Sequence, residues 1–171
     1  MKTAKTADKI TITDYHHTHA DELMVLLMEL HCHYFKENAE AQHRELREEK
    51  NMEKAYRKYV NEIHASKNDT WKIYLAKNAE AKVIGFIIGS VEVDASLVKG
   101  HIGKLEDWLV LKDSRGQGTG MLLYKSLEKW FVKKGCDQVV SDTWHGNHLS
   151  VKAHQQSGFF VSGISFSKKL K

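Results

Sequence analysis

Apolar and polar positions alternate through KITITDY (residues 9–15), which predicts a strand. From Asp21 the interval changes. In DELMVLLMELHCHYFKE, Leu23, Leu26, Leu27 and Leu30 fall on one helical face, with Asp21 as the expected N-cap. Residues 39–65 are charge-rich, and Met52, Tyr56, Tyr59, Val60 and Ile63 make their apolar stripe, the pattern of a solvated helix docked by one face. WKIYLAKN (71–78) and KVIGFIIGSVEV (82–93) read as strands of a hairpin turning at AEA. KLEDWLVL (104–111) is the next strand, followed by the loop SRGQGTG (114–120). The helix behind that loop keeps Leu123, Leu127, Trp130 and Phe131 on one side and stops at Gly135. CDQVVSDTW (136–144) predicts a strand, NHLSVKAHQQSG (147–158) a short helix closed by Gly158, and FFVSGISFSKKL (159–170) a last strand. The order β-α-α-β-β-β-α-β-α-β describes one mixed α/β domain over residues 1–171, with no linker or repeat.

Composition narrows the class. With 171 residues, 42% apolar and 28% charged, the chain can bury a substantial core. Its apolar runs are too short to cross a bilayer, and MKTAKTADK lacks the apolar stretch of a signal peptide, so a cytoplasmic location without a membrane partner is expected. Cys32 and Cys136 lie far apart and read as reduced thiols. A net charge of +4 suits an anionic ligand, but without a dense basic block no nucleic-acid partner is expected. His31 and His33 are two positions apart, which points them to different helix faces, so no metal is expected there.

The chemistry concentrates in SRGQGTG. A strand end, a glycine-rich turn and a helix start are the setting in which backbone N–H groups and the helix dipole hold an anion. A phosphate loop of the Walker type needs Lys-Ser/Thr at its end, where Met121 and Leu122 stand. A Rossmann fingerprint needs a glycine at position 121. Two readings remain: a tight turn that merely happens to be glycine-rich, which leaves the arginine and the helix start without a purpose, and a pyrophosphate cradle, in which Gly116, Gly118 and Gly120 admit the ligand to the main chain and Arg115 adds positive charge.

Arg-x-x-Gly-x-Gly between a strand and a helix resembles the acetyl-CoA loop of the GNAT N-acetyltransferase superfamily. A second motif, NHLSVKAHQQSGF, is similar to that superfamily's Asn-x-x-Ala-x-x-x-Tyr-x-x-x-Gly-Phe, with Asn147, Gly158 and Phe159 in place, Ser150 for the alanine and His154 for the tyrosine. LEDWLVL, KGCDQVVSDT and the histidine in the tyrosine's place most resemble bacterial aminoglycoside 6'-N-acetyltransferases. The resemblance is specific from Lys104 onward, with a cofactor-binding core over about 104–160, and architectural before it. Lys112 departs from the pattern, which usually has proline there.

The resemblance implies a mixed, mostly antiparallel central sheet flanked by helices, with the fourth and fifth strands splayed and acetyl-CoA between them as cosubstrate. Leu109, Val110, Arg115, Gly116, Gln117, Gly118, Thr119, Gly120, Asn147 and His154 would then bind it. The backbone N–H of Val110, or that of its neighbour Leu109, would receive the developing oxyanion. Asp142 and its rival Glu106 would hold the cationic amine and pass its proton to water, and His154 would protonate the leaving thiolate. Trp108 with Glu106 and Asp142 would line the acceptor pocket. Strand alternation puts Glu106 and Trp108 on one face and Asp107 on the other. Cys136 reads as a packed thiol and not an acyl carrier. The expected reaction is direct acetyl transfer to a primary amine of a small molecule, an aminoglycoside or polyamine. The alternatives are transfer to a protein or peptide amine, and acyl-CoA binding without turnover. Such acetyltransferases are commonly dimers, and a homodimer is expected.

Overall fold

The computed structural model describes residues 9–37, 49–66, 69–92 and 101–165. One sheet holds β1 (Thr11–Asp14), β2 (Trp71–Lys77), β3 (Val83–Glu92), β4 (His101–Val110) and β5 (Cys136–Val140), in that spatial order. The first four are antiparallel neighbours, and β5 runs parallel to β4. Helices α1 (Ala20–Glu37) and α2 (Glu49–Ala65) cover one face, and α3 (Thr119–Lys133) covers the other. The fourth described helix, α4 (His148–Gln156), follows β5.

Burial follows the sequence pattern. Leu23, Leu26 and Leu27 of α1 and Val60 of α2 pack on Leu75, Phe86 and Ile88, while Leu123, Leu127 and Phe131 of α3 pack on Ile87 and Leu105. Because both sheet faces are covered, β3 is buried from Val83 to Val91, which explains its nearly unbroken apolar run. Each such Leu, Ile or Phe contributes about 2 kcal/mol through removal from water. A side chain at Gly103 would begin 2.6 Å from the Phe131 ring, so the glycine seats α3 closely on the sheet.

Several bounds differ from expectation, and β4 begins at His101 and not at Lys104. Asp21 lies inside the first turn of α1 and does not cap it; a short 3-10 turn (His17–His19) leads into the helix, and His19 Nδ1 accepts from the His16 N–H at 3.1 Å. β5 ends at Val140, not at 144, because its partner strand diverges there. Residues 159–165 form no strand, and the rest of that expected strand lies outside the described residues. Alternation alone cannot make a strand without a neighbouring edge, and Phe160, Val161 and Ile164 stand 80%, 70% and 76% exposed. The expected helix of residues 39–65 is helical from Glu49, with 39–48 outside the described residues.

Candidate active site

β4 and β5 pair as far as Lys104 opposite Val140, and then part while β4 continues to Val110. On its other side β4 stays paired with β3. Gly85 opposite Val110 is a pair whose backbone groups point away from each other, since the Leu111 N–H bonds the Ile84 carbonyl at 2.9 Å. The N–H of Val110 therefore points into the gap, and by the two-residue period so does that of Trp108. Leu109 points its backbone toward β3, its carbonyl lying 2.7 Å from where a Gly85 side chain would start. Of the two amides raised as oxyanion donors, Val110's faces the fork.

The gap opens into a cleft of about 540 Å³ walled by Trp108, Leu109 and Val110, the loop after β4, and Asn147, Ser150 and Lys152 of the α4 region. Gly116 and Gly118 take φ of +78° and +80°, with open space where their side chains would be. Gly118 is the N-cap of α3, so the loop delivers the helix's free N–H groups and positive dipole end to the cleft. Gly120 lines the cleft as well, and a side chain there would meet the Trp108 indole at 3.3 Å. Thr119 is buried, its hydroxyl donating to the Ser114 carbonyl at 3.3 Å, and Gln117 is exposed. Arg115 donates from Nε to the Val110 carbonyl at 2.8 Å, tying the loop to the strand end and leaving its terminal amino groups for an anion.

A bulge rearranges the acids of β4. The register with β3 shifts between Ile88 and Gly89, which face Asp107 and Leu105, so Glu106 is the extra residue. The extra residue carries Glu106 and Asp107 to the same face and Trp108 to the opposite one. Glu106 accepts from the Ser90 hydroxyl at 2.6 Å and pairs with Lys104 at 3.0 Å. Asp107 accepts from the Tyr59 hydroxyl of α2 at 3.2 Å. Trp108 instead stacks on Tyr124 of α3. This corrects the strict alternation that paired Glu106 with Trp108. Burial, reinforced by the nearby Glu106 charge, pushes the Asp107 carboxyl up to about 6. Burial and the Asp107 charge likewise push Tyr56 up to about 12.

Asn147 caps α4: its side-chain oxygen accepts from the Ser150 N–H at 3.1 Å and its amide donates to the Thr143 hydroxyl at 3.1 Å, leaving one amide hydrogen for a ligand. His154 does not line the cleft. Its ring packs edge-on against Trp108 and Phe159, with Nε2 2.9 Å from the Ser141 hydroxyl and Nδ1 2.8 Å from the Ser150 carbonyl. Asp142 is exposed just past the fork, and its charge, with that of Glu106, holds the Lys104 ammonium above its usual range, the Glu106 bond contributing most. Cys32 and Cys136 are free, and burial raises the Cys136 thiol, as befits a packed residue. His31 and His33 diverge, one against Tyr56 and the other against Trp144. Among the described residues, no group of three or more His, Cys, Asp or Glu could hold a metal ion, and no helix is long and apolar enough to cross a membrane.

The Acetyltransferase (GNAT) family model matches residues 25–159. The chain belongs to this family. Its relatives include the aminoglycoside N(6')-acetyltransferase type 1 of Klebsiella aerogenes, 33% identical over 88 residues, 51% of this chain and 58% of the relative. The enzyme of the same name in Salmonella typhimurium strain LT2 is 34% identical over 85 residues, 47% of this chain and 57% of the relative. The chain thus spans somewhat more than half the length of these relatives. Among solved structures, aminoglycoside N-acetyltransferase AAC(6')-Iy in complex with CoA superposes with a TM-score of 0.73 at 22% identity, covering 98% of this chain and 99% of that one.

For a GNAT chain, several residues of this site were not singled out in the sequence. Ser141 and Lys152 carry no local signal, Tyr59 reads only as part of an apolar stripe, and Glu106 reads on the face of Trp108 because a bulge leaves no trace in the polar–apolar pattern. Leu30 and His33 of α1 also reach the cleft wall, a contact made only by the helix's docking.

Proposed function

We propose that this GNAT chain is an acetyl-CoA-dependent N-acetyltransferase that moves the acetyl group directly to a primary amine of a small molecule, an aminoglycoside or polyamine being the first acceptors to test. The observation that carries this reading is the free edge of β4, with the Val110 N–H facing the gap beside the Gly116–Gly118 turn. The cosubstrate fits: a long cleft runs from that edge to a helix N-terminus with open space at two glycines, which suits an extended arm ending in a diphosphate. The names of the Klebsiella and Salmonella relatives support the acceptor class.

Acetyl-CoA supplies a thioester, whose carbonyl is open to attack and whose sulfur leaves readily. The chain supplies position and charge. The Trp108 N–H holds the arm as an added strand would be held, and the Val110 N–H meets the negative charge that grows on the acyl oxygen. Loop amides at 116–120 and Arg115 hold the diphosphate, and the remaining amide hydrogen of Asn147 fastens the arm. An acceptor ammonium has a pKa of about 10 and must shed a proton before attack. Asp142 and Glu106 hold that cation at the fork and pass its proton to water. A cytoplasmic setting and a homodimer are part of the proposal; the free cysteines support the first and the exposed Phe160, Val161 and Ile164 the second.

A thiol-release assay with acetyl-CoA against a panel of aminoglycosides, polyamines and peptides tests the reading. Turnover of small amines is expected. Activity on peptides alone would transfer the proposal to protein acetylation, and tight CoA binding without thiol release would leave a binding domain.

A further inference from the structure

Where the backbone pairing of β4 and β5 ends, a side chain takes over. The Ser141 hydroxyl, in the first residue past β5, lies 3.2 Å from the Leu105 carbonyl, the residue after the last paired one on β4. The same oxygen lies 2.9 Å from His154 Nε2. The ring's other nitrogen, Nδ1, is 2.8 Å from the Ser150 carbonyl, within the same helix. The hydroxyl's single proton goes to the Leu105 carbonyl, which only accepts, so the Ser141 oxygen accepts from the His154 Nε2–H. Nδ1 also faces the Ser150 hydroxyl at 3.3 Å. Trp108 and Phe159 pack edge-on to the imidazole, with ring centroids at 5.8 and 5.1 Å, and fix its plane.

Resting on the reading of the fork as an acyl-transfer site, we propose that Ser141 and His154 are positioning residues, a pin from α4 to β4 that fixes where the two strands part. The geometry bears on the reaction through β4. Leu105 immediately precedes the Glu106 bulge, and the bulge sets the register by which Trp108 and Val110 turn their N–H groups into the gap. A hydroxyl at this point gives its proton to the β4 carbonyl and offers its oxygen to the α4 imidazole. Removing it frees the fork to close by further pairing or to open, and either motion shifts the Val110 amide relative to the acyl oxygen. Displacement of this kind, on the order of 1 Å, lowers rates by about tenfold to a hundredfold without requiring looser binding of the cosubstrate. His154, which the tyrosine's place in the motif suggested as a proton donor to the thiolate, thereby acts through Ser141 and not on the substrate.

The test uses the full chain and the small amine it turns over best. Ser141→Ala and His154→Phe are each expected to lower kcat about tenfold, with the CoA dissociation constant changed less than about twofold. Ser141→Thr, which keeps the hydroxyl, is expected to recover most of the loss. The double variant should be no slower than the slower single one, because both remove one link. Nitrogen NMR of labelled histidine should find a proton on His154 Nε2, with that resonance moved by Ser141→Ala. Unchanged kcat in Ser141→Ala, additive losses in the double variant, or a loss expressed in CoA affinity and melting temperature instead of kcat would each overturn the pin. An unaltered chain that binds CoA but acetylates no amine would overturn the transfer reading together with it; an active chain indifferent to Ser141→Ala overturns the pin alone.

Discussion

The Tyr59 hydroxyl of α2 donates to the Asp107 carboxylate of β4 at 3.2 Å, beside the Glu106–Lys104 pair on the same face. This contact joins the helical layer to the bulge, and it places an acid where the ionised form is disfavoured. Burial dominates over the Tyr59 bond, so the carboxyl rises to about 6.

Asp107→Asn should therefore stabilise the chain near neutral pH. A carboxyl raised in the folded state contributes stability that is complete below its unfolded value and lost as pH rises through the folded one. The window runs from about pH 4 to about pH 6. Denaturant melts should find the variant more stable by up to about 3 kcal/mol at pH 7.5 and no more stable at pH 4. Equal stability of the two proteins at every pH would show that the carboxyl titrates normally.

Two glycines should report on different steps. A side chain at Gly85 would sit 2.7 Å from the Leu109 carbonyl, so Gly85→Ala must displace the strand that carries Val110. Its expected signature is a fall in kcat along with a lower melting temperature. Gly118→Ala meets open space but forces an alanine to φ of about +80°, costing about 1–2 kcal/mol, and should weaken CoA binding. Calorimetry and steady-state kinetics separate the two, and the same effect from both would contradict the division.

Asp142→Asn should lower turnover about tenfold while CoA affinity stays within about twofold, since the residue is exposed past the fork and off the cofactor wall. Undiminished kcat would remove it from the proton path.

Asn147→Ala deletes the cap of α4 and should cost about 1 kcal/mol of stability. Loss of its spare amide hydrogen should also weaken CoA binding by about fivefold. Asn147→Asp keeps the cap and not the donor, so it should restore the melting temperature without restoring affinity.

Much of the fold was legible along the chain because its signals are local. Leu123, Leu127, Trp130 and Phe131 recur at the helical interval, Gly135 and Gly158 take the positive φ their helix ends require, and the alternation from 9 to 15 contains β1. The glycine loop was legible for the same reason, since a helix start after a strand needs no distant partner to be recognised. The roles within it were not. Gly120 makes room for Trp108, a neighbour supplied by the strand before the loop and brought there by folding.

By itself, then, the sequence determined the elements up to α4, their order, the anion-ready turn and the resemblance to an acetyl-CoA loop, because periodicity, caps and turn residues act within a few positions of one another. Only the tertiary structure decided which faces and edges those elements share. The bulge that brings Glu106 and Asp107 together, the parting of β4 from β5 after Lys104, and the Ser141–His154 link all depend on a partner strand or helix far along the chain. A one-residue change in strand register reverses every side chain beyond it, and register is settled by pairing, not by the residues of a single strand.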